Sequence, residues 1–350
     1  MMLALEIVSE GDRPLRGLRL RPNEGAVVSP PAARGRIGRP PSPEVDATTA
    51  FPAQPHFTAH GQLAPVGSGH NVPSESARSA ARRSAPPPAL PTARHMRQTL
   101  TVLELQPPEP FYALGDHIAT DLPGARVVFT TRRGGVSEPP YDSLNLGLRV
   151  AGDRTAAASN RAILARDLDV ELAHVRQVHG NRVHAVEGAT DSAAPPVEAD
   201  GVATTTRRLA AMVLTADCLP VAIAGRGAVA AVHAGWKGLE AGVIAAGVQQ
   251  VRELGTEGGP IAAAIGPGAS ACCYEVSDEL HERFAQLGLD HRRGLNLDLK
   301  EIARAQLADA GVERIQVLPW CTICGPPDLF FSHRRDRGVT GRQAGLVWLT

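Results

Sequence analysis

The chain has 350 residues, with 36 basic and 36 acidic side chains and a formal net charge of zero. That balance excludes a global basic field for nucleic acid or for an anionic membrane surface, and no apolar run approaches the roughly 20 residues of a membrane span. Five cysteines are too few for a disulfide scaffold, and the count is odd; a reducing, cytoplasmic setting is expected.

Residues 1–95 are dominated by Pro, Ala, Ser, Arg and Gly, as in Ser84-Ala85-Pro86-Pro87-Pro88. Such a composition buries too little apolar surface to offset chain entropy, so a disordered extension is expected. Met96 follows directly and reads as an alternative start, with the extension outside the natural protein. The catalytic domain is expected over residues 96–350.

Ala125–Thr131 reads as a strand that ends in the Gly-rich loop from Arg132 to Ser137. Asp153 is placed to cap a helix through Leu168 that carries Asn160 and Arg161. Val175–Val178 and Arg182–Glu187 are expected as a hairpin about Gly180-Asn181, with His179 at the turn. Val202–Thr205 and Ala210–Thr215 supply further strands.

The stretch Thr215–Gly238, TADCLPVAIAGRGAVAAVHAGWKG, organises the rest. Two short apolar runs, Leu219–Ala224 and Ala228–Val232, flank Gly225-Arg226-Gly227 and read as buried strands. Antiparallel pairing would bring Cys218, which enters the first, beside His233, which leaves the second. A thiol next to an imidazole suits a metal site or a nucleophile–base pair. A buried cysteine beside a hydrogen-bonded histidine reads equally well.

Downstream, Leu239–Leu254 is expected as a helix and Pro260–Ile265 as a strand. Ser277 is expected to cap a helix to Leu287, and Asp298 with Glu301 to cap one to Ala310. Ile315–Leu318 and Leu346–Leu349 complete the strands. Strands and helices are mixed without strict alternation, so an α+β fold is expected: a single layered α/β sandwich with mixed sheets.

Cys321 and Cys324 have CxxC spacing without a second CxxC. A structural zinc there would need Cys272 or Cys273 to join it. Lys237 and Lys300 are the only lysines among the 36 basic residues. Lys237, inside HAGWKG, is a candidate for a compact ammonium whose pKa can be tuned, which a guanidinium does not offer; Lys300 sits on an ordinary predicted helix. Arg334, Arg335, Arg337 and Arg342 cluster near the C-terminus, and their forks suit phosphate or carboxylate, although a solvated basic loop has the same composition.

The blocks GGVSEPPYDSLNLG, NRAIL, QVHGNRV, EADGVATT, TADCLPV, AVHAGWKG, AIGPGASACCYEV and FFSHRRDRGVTGRQAG occur in this order. Together they resemble the YfiH-type family, also called the laccase-domain or polyphenol-oxidase family, from about Leu114 to the C-terminus. The resemblance implies a layered α/β fold shared with a deamidating bacterial toxin that uses a Cys–His pair. It implies one zinc ion held by His179, Cys218 and His233. It also implies phosphorolysis of adenosine, inosine, guanosine and S-methyl-5'-thioadenosine with inorganic phosphate as co-substrate, together with adenosine deaminase activity. One departure is Gly268, which stands where the family often has Cys.

On this reading the partners are purine nucleosides and phosphate. Cys218, His233, Arg161 and Lys237 are the catalytic candidates. Arg161 or the Arg334–Arg335 pair would hold phosphate, and Asn145 would read a purine edge or a ribose hydroxyl. A cysteine hydrolase or deamidase with Cys218 as nucleophile and His233 as base is the alternative, and a non-catalytic zinc-stabilised binding protein a third. Copper oxidation fits poorly, because paired His-x-His ligands are absent from the globular part.

Overall fold

The structure, a computed structural model, describes residues 105–150, 154–191, 195–256 and 258–350. The expected extension over 1–95, Met96 and the capping role of Asp153 lie outside the described residues.

In chain order the elements are β1 (Tyr112–Leu114), β2 (His117–Leu122), β3 (Ala125–Phe129), α1 (Arg154–Leu168), β4 (Glu171–His174), β5 (Val183–Ala185), β6 (Gly201–Thr204), β7 (Leu209–Thr215), β8 (Leu219–Gly225) and β9 (Ala228–Ala234). Then come α2 (Trp236–Glu240), α3 (Val243–Leu254), β10 (Ala262–Ile265), α4 (Asp278–Gln286), β11 (Arg292–Arg293), β12 (Asn296–Leu297), α5 (Leu299–Asp309), β13 (Arg314–Val317) and β14 (Gln343–Leu349). One six-stranded sheet has the order β1-β2-β3-β14-β7-β4, and the other β13-β10-β8-β9-β6-β5. Both mix parallel and antiparallel pairs. The layered α+β fold with mixed sheets is therefore the one the sequence pattern leads to.

The two sheets pack face to face. Val127, Phe129, Val213 and Val347 of the first meet Val202, Ala222, Ala224, Val229 and Ala264 of the second. The period of two along β8 explains its composition. Leu219, Val221 and Ile223 point to the helical side, where α3 and α5 cover the second sheet. Ala222 and Ala224 point to the other sheet, where small side chains let the layers approach. On the outer face of the first sheet, Leu164 of α1 packs with Leu144, Leu146 and Met212.

Two expectations are corrected. Residues 175–178 form no strand and no hairpin closes at Gly180-Asn181: β4 pairs with β7 in the first sheet, while β5 pairs parallel to β6 in the second. The chain crosses between sheets because the amides of Val178, His179 and Gly180 turn inward onto the Asp200 carboxylate. The helix expected over Leu239–Leu254 is two helices, broken at Gly242, where φ is +83°; a left-handed residue cannot continue a right-handed helix. The caps stand: the Ser277 side chain accepts from the Leu280 amide and that of Asp298 from the Glu301 amide.

Candidate metal centre

Three neighbouring strands deliver the site to one sheet edge. β8 and β9 run antiparallel, with Pro220 opposite His233 and Leu219 opposite Ala234. β6 pairs with β9 so that Gly201 faces Val232, and the His233 amide donates to the Asp200 carbonyl at 2.7 Å. Cys218, His233 and Asp200 therefore share a strand end. His179 arrives from the crossover between sheets, at a φ of +63°.

One ligand atom each from His179, Cys218 and His233 lies within 4.8 Å of the others, with His179 exposed, Cys218 half-buried and His233 buried. The two imidazoles meet edge to face, 4.8 Å between centroids. Gly235 makes room: a Cβ there would stand 2.8 Å from Cys218 Sγ and 3.4 Å from the His179 ring. Two imidazoles and a thiolate around an open side suit zinc and leave a position for an exchangeable ligand.

Asp200, which the sequence reading did not nominate, holds this set. Its Oδ1 lies 2.9 Å from His233 Nδ1. The same carboxylate accepts from the amides of Val178 at 3.1 Å, His179 at 2.9 Å and Gly180 at 2.7 Å. With Nδ1–H given to Asp200, His233 presents Nε2 to a metal, the arrangement that fixes a ligating histidine's tautomer. Burial pushes the Asp200 carboxyl up, but His233 and the backbone amides outweigh it and hold it low. Its only sequence signal is the block EADG, which lies 33 residues before His233.

Burial likewise pushes the Cys218 thiol up, yet His233 and His179 hold it at about 6, so a thiolate is favoured near neutral pH. Its neighbour Asp217 has a φ of +93° and is tied down on both oxygens. Oδ1 accepts from the Thr322 hydroxyl at 2.7 Å and Oδ2 from the Arg334 amide at 2.7 Å.

The remaining candidates separate. Arg334 faces a cavity of about 660 Å³ that Trp236, Tyr274, Glu275 and Arg283 also line. Its guanidinium stacks 5.2 Å from the Tyr274 ring centroid, and Nη1 donates to the Glu275 carbonyl. Lys237 is exposed, with Nζ 5.4 Å from the Trp236 ring. Arg335 is committed to the fold, donating to the carbonyls of Thr322 and Phe330 and to Asp336. Arg161 donates to the Leu146 carbonyl at 2.8 Å and contacts His174 Nε2 at 2.6 Å. Asn145 is buried, and its Oδ1 accepts from the amides of Gly147 and Arg342, so that oxygen serves the loop rather than a ligand. Arg342, which the sequence places in the basic cluster, is half-buried, and its charge interacts with Cys218 and Asp217.

The family model described as multi-copper polyphenol oxidoreductase laccase matches residues 126–350. Over 234 residues the chain is 42% identical to a purine nucleoside phosphorylase of Mycobacterium tuberculosis, covering 64% of this chain and 92% of that protein. A purine nucleoside phosphorylase of Streptomyces griseus is 42% identical over 235 residues, covering 64% and 94%. Among solved structures, the Bacillus licheniformis protein YfiH superposes with a TM-score of 0.63 at 33% identity, over 69% of this chain and 100% of that one.

Proposed function

The chain belongs to the laccase-type polyphenol oxidoreductase family, in which YfiH proteins are its structural neighbours, and on that premise we propose that it is a zinc-dependent purine nucleoside phosphorylase. Its substrates on this reading are adenosine, inosine, guanosine and S-methyl-5'-thioadenosine with inorganic phosphate, and adenosine deamination is a second activity of the same site. The observation that carries it is the convergence of His179, Cys218 and His233, with Asp200 behind His233. The names of the Mycobacterium and Streptomyces relatives support the same reaction class.

Bound there, zinc would supply Lewis-acid polarisation and a nucleophile at neutral pH. The chain's own residues prepare the rest. Asp200 keeps the His233 proton on Nδ1. Cys218 is held as a thiolate. Trp236 and Tyr274 line the cavity, and aromatic side chains there suit a purine. Arg334 and Arg342 are the guanidinium groups we assign to phosphate, because Arg334 lines the cavity and the charge of Arg342 interacts with Cys218 and Asp217. Phosphorolysis then forms a bond from phosphate oxygen to the ribose anomeric carbon as the bond to the purine nitrogen breaks.

Copper oxidation has a poorer donor set, because residues 105–350 hold no His-x-His pair. A cysteine hydrolase has one specific observation in its favour, a Cys218 thiol held at about 6 beside His233. Cys218→Asp separates the two. A carboxylate can bind zinc but cannot replace a thiol nucleophile, so the variant keeps part of the metal and some phosphorolysis on the zinc reading and is inactive on the other.

The test of the function is incubation of the purified chain with adenosine, with and without phosphate. Adenine and ribose 1-phosphate should form only with phosphate, and inosine in both cases. Zinc-loaded protein that yields neither set of products would overturn the reading.

A further inference from the structure

A second cluster lies outside the Cys218 site. Cys272 and Cys273 sit on the turn after β10, and Cys321 and Cys324 on the loop after β13. Their four sulfurs lie within 4.8 Å of one another. Cys272 Sγ is 3.4 Å from Cys324 Sγ and 3.5 Å from Cys273 Sγ. Four thiolates at the usual zinc–sulfur distance of about 2.3 Å stand about 3.8 Å apart at the corners of a tetrahedron. A disulfide would need a separation of about 2.05 Å. The spacing thus fits a shared ion and not a bond.

Two further observations point the same way. Cys321-Thr322-Ile323-Cys324-Gly325 closes as a knuckle: the Cys321 sulfur accepts backbone N–H groups from Cys324, Ser270 and Ile323, and the Gly325 amide returns to the Cys321 carbonyl at 3.0 Å. A Cβ at Gly325 would stand 2.3 Å from that carbonyl oxygen, so the turn needs glycine. Amide donors on a sulfur stabilise a ligating thiolate. The second observation is Lys300, one of the two lysines of the chain. It is buried, its Nζ donates to the carbonyls of Leu318 and Trp320 at 2.8 and 2.7 Å, and its charge interacts with Cys321, Cys272 and Cys324. A buried ammonium beside the cluster offsets part of the negative charge that four thiolates around a divalent ion leave.

We propose that Cys272, Cys273, Cys321 and Cys324 form a tetrathiolate site for a structural zinc ion, separate from the centre at His179, Cys218 and His233. Binding releases the thiol protons to solvent. The ion fastens the turn that ends in Tyr274, a wall of the cavity, to the loop whose Thr322 hydroxyl holds Asp217. The site therefore braces the segment that enters Cys218.

The test is zinc content of the full chain purified in reductant without chelator. Two equivalents per chain are expected, falling to one in Cys324→Ser and to one in His179→Ala. The unmodified chain provides a reading that does not depend on the variants folding. Cys272 and Cys324 are exposed, yet in the zinc-loaded protein both should resist alkylation, and peptide mapping should show labelling at least about tenfold faster after chelation. Cobalt exchanged into His179→Ala should give the intense thiolate-to-metal absorption of a tetrahedral sulfur site. One zinc equivalent in the unmodified chain that Cys324→Ser retains in full, rapid labelling of Cys272 and Cys324 with zinc present, or a Cys272–Cys324 disulfide in reductant would each overturn the proposal.

Discussion

Asp200 has both carboxylate oxygens occupied, one by His233 and the His179 amide, the other by the amides of Val178 and Gly180. An asparagine there would have to turn its NH2 either on His233 Nδ1 or on those amides, and neither contact can be kept intact. Asp200→Asn is expected to weaken zinc binding by about 10- to 100-fold, as measured by competition with a chromophoric chelator; unchanged affinity would remove Asp200 from the account. Arg161 makes a different kind of prediction. Burial and the Arg161 guanidinium hold His174 down to about 4, from 6.5. Below pH 6.5 the unfolded chain takes up this proton before the folded one does, so stability falls as pH drops from about 6.5 to about 4 and is unaffected by His174 above that window. His174→Gln should flatten this acid slope by about 1 kcal/mol at pH 5 after allowance for solvent screening, read from urea unfolding at pH 5 and pH 7. Equal slopes in the two proteins would contradict it.

At the scale of elements, the register of β6, β9 and β8 sets the site, because a slip of one residue would turn His233 to the opposite face. The core that fixes this register is the larger half of β8. Ile223 is fully buried on the helical side, and Ile223→Ala is expected to cost about 2–5 kcal/mol in chemical denaturation; a cost below 1 kcal/mol would show that the helices do not clamp the sheet. This part of the fold was legible in the sequence. The runs flanking Gly225-Arg226-Gly227 announce a local hairpin, and its register follows from the turn. The crossover at 175–181 was not legible, because what shapes it is a carboxylate about 20 residues away, and periodicity carries no trace of such a contact. The same limit hid Asp200 as a site residue. The cysteines of the second cluster were visible one by one, but only the parallel pairing of β10 with β13 places their following loops side by side.

For the molecule as a whole, two facing sheets with helices outside put the site on an edge where the second sheet meets loops from both halves of the chain. The expectation that residues 96–350 form the catalytic unit rests on composition, since the preceding stretch lacks the apolar pattern of a core. A chain started at Met96 should melt within about 2 °C of the full chain, less than or equal to the shift that 1 kcal/mol produces at this size, and should retain its activity. A much lower melting temperature would assign the first 95 residues a structural role. Among the described residues no helix is long and apolar enough to cross a membrane.

Purine nucleoside phosphorolysis is proposed to take place where His179, Cys218 and His233 converge. Its most direct test is phosphate-dependent release of adenine from adenosine, measured beside zinc content, for the unmodified chain and for Cys218→Ser. A hydroxyl is a far poorer zinc ligand than a thiolate, so the variant should lose zinc from this site and phosphorolysis together. A Cys218→Ser protein that lacks this zinc and still releases adenine at the unmodified rate would contradict the account.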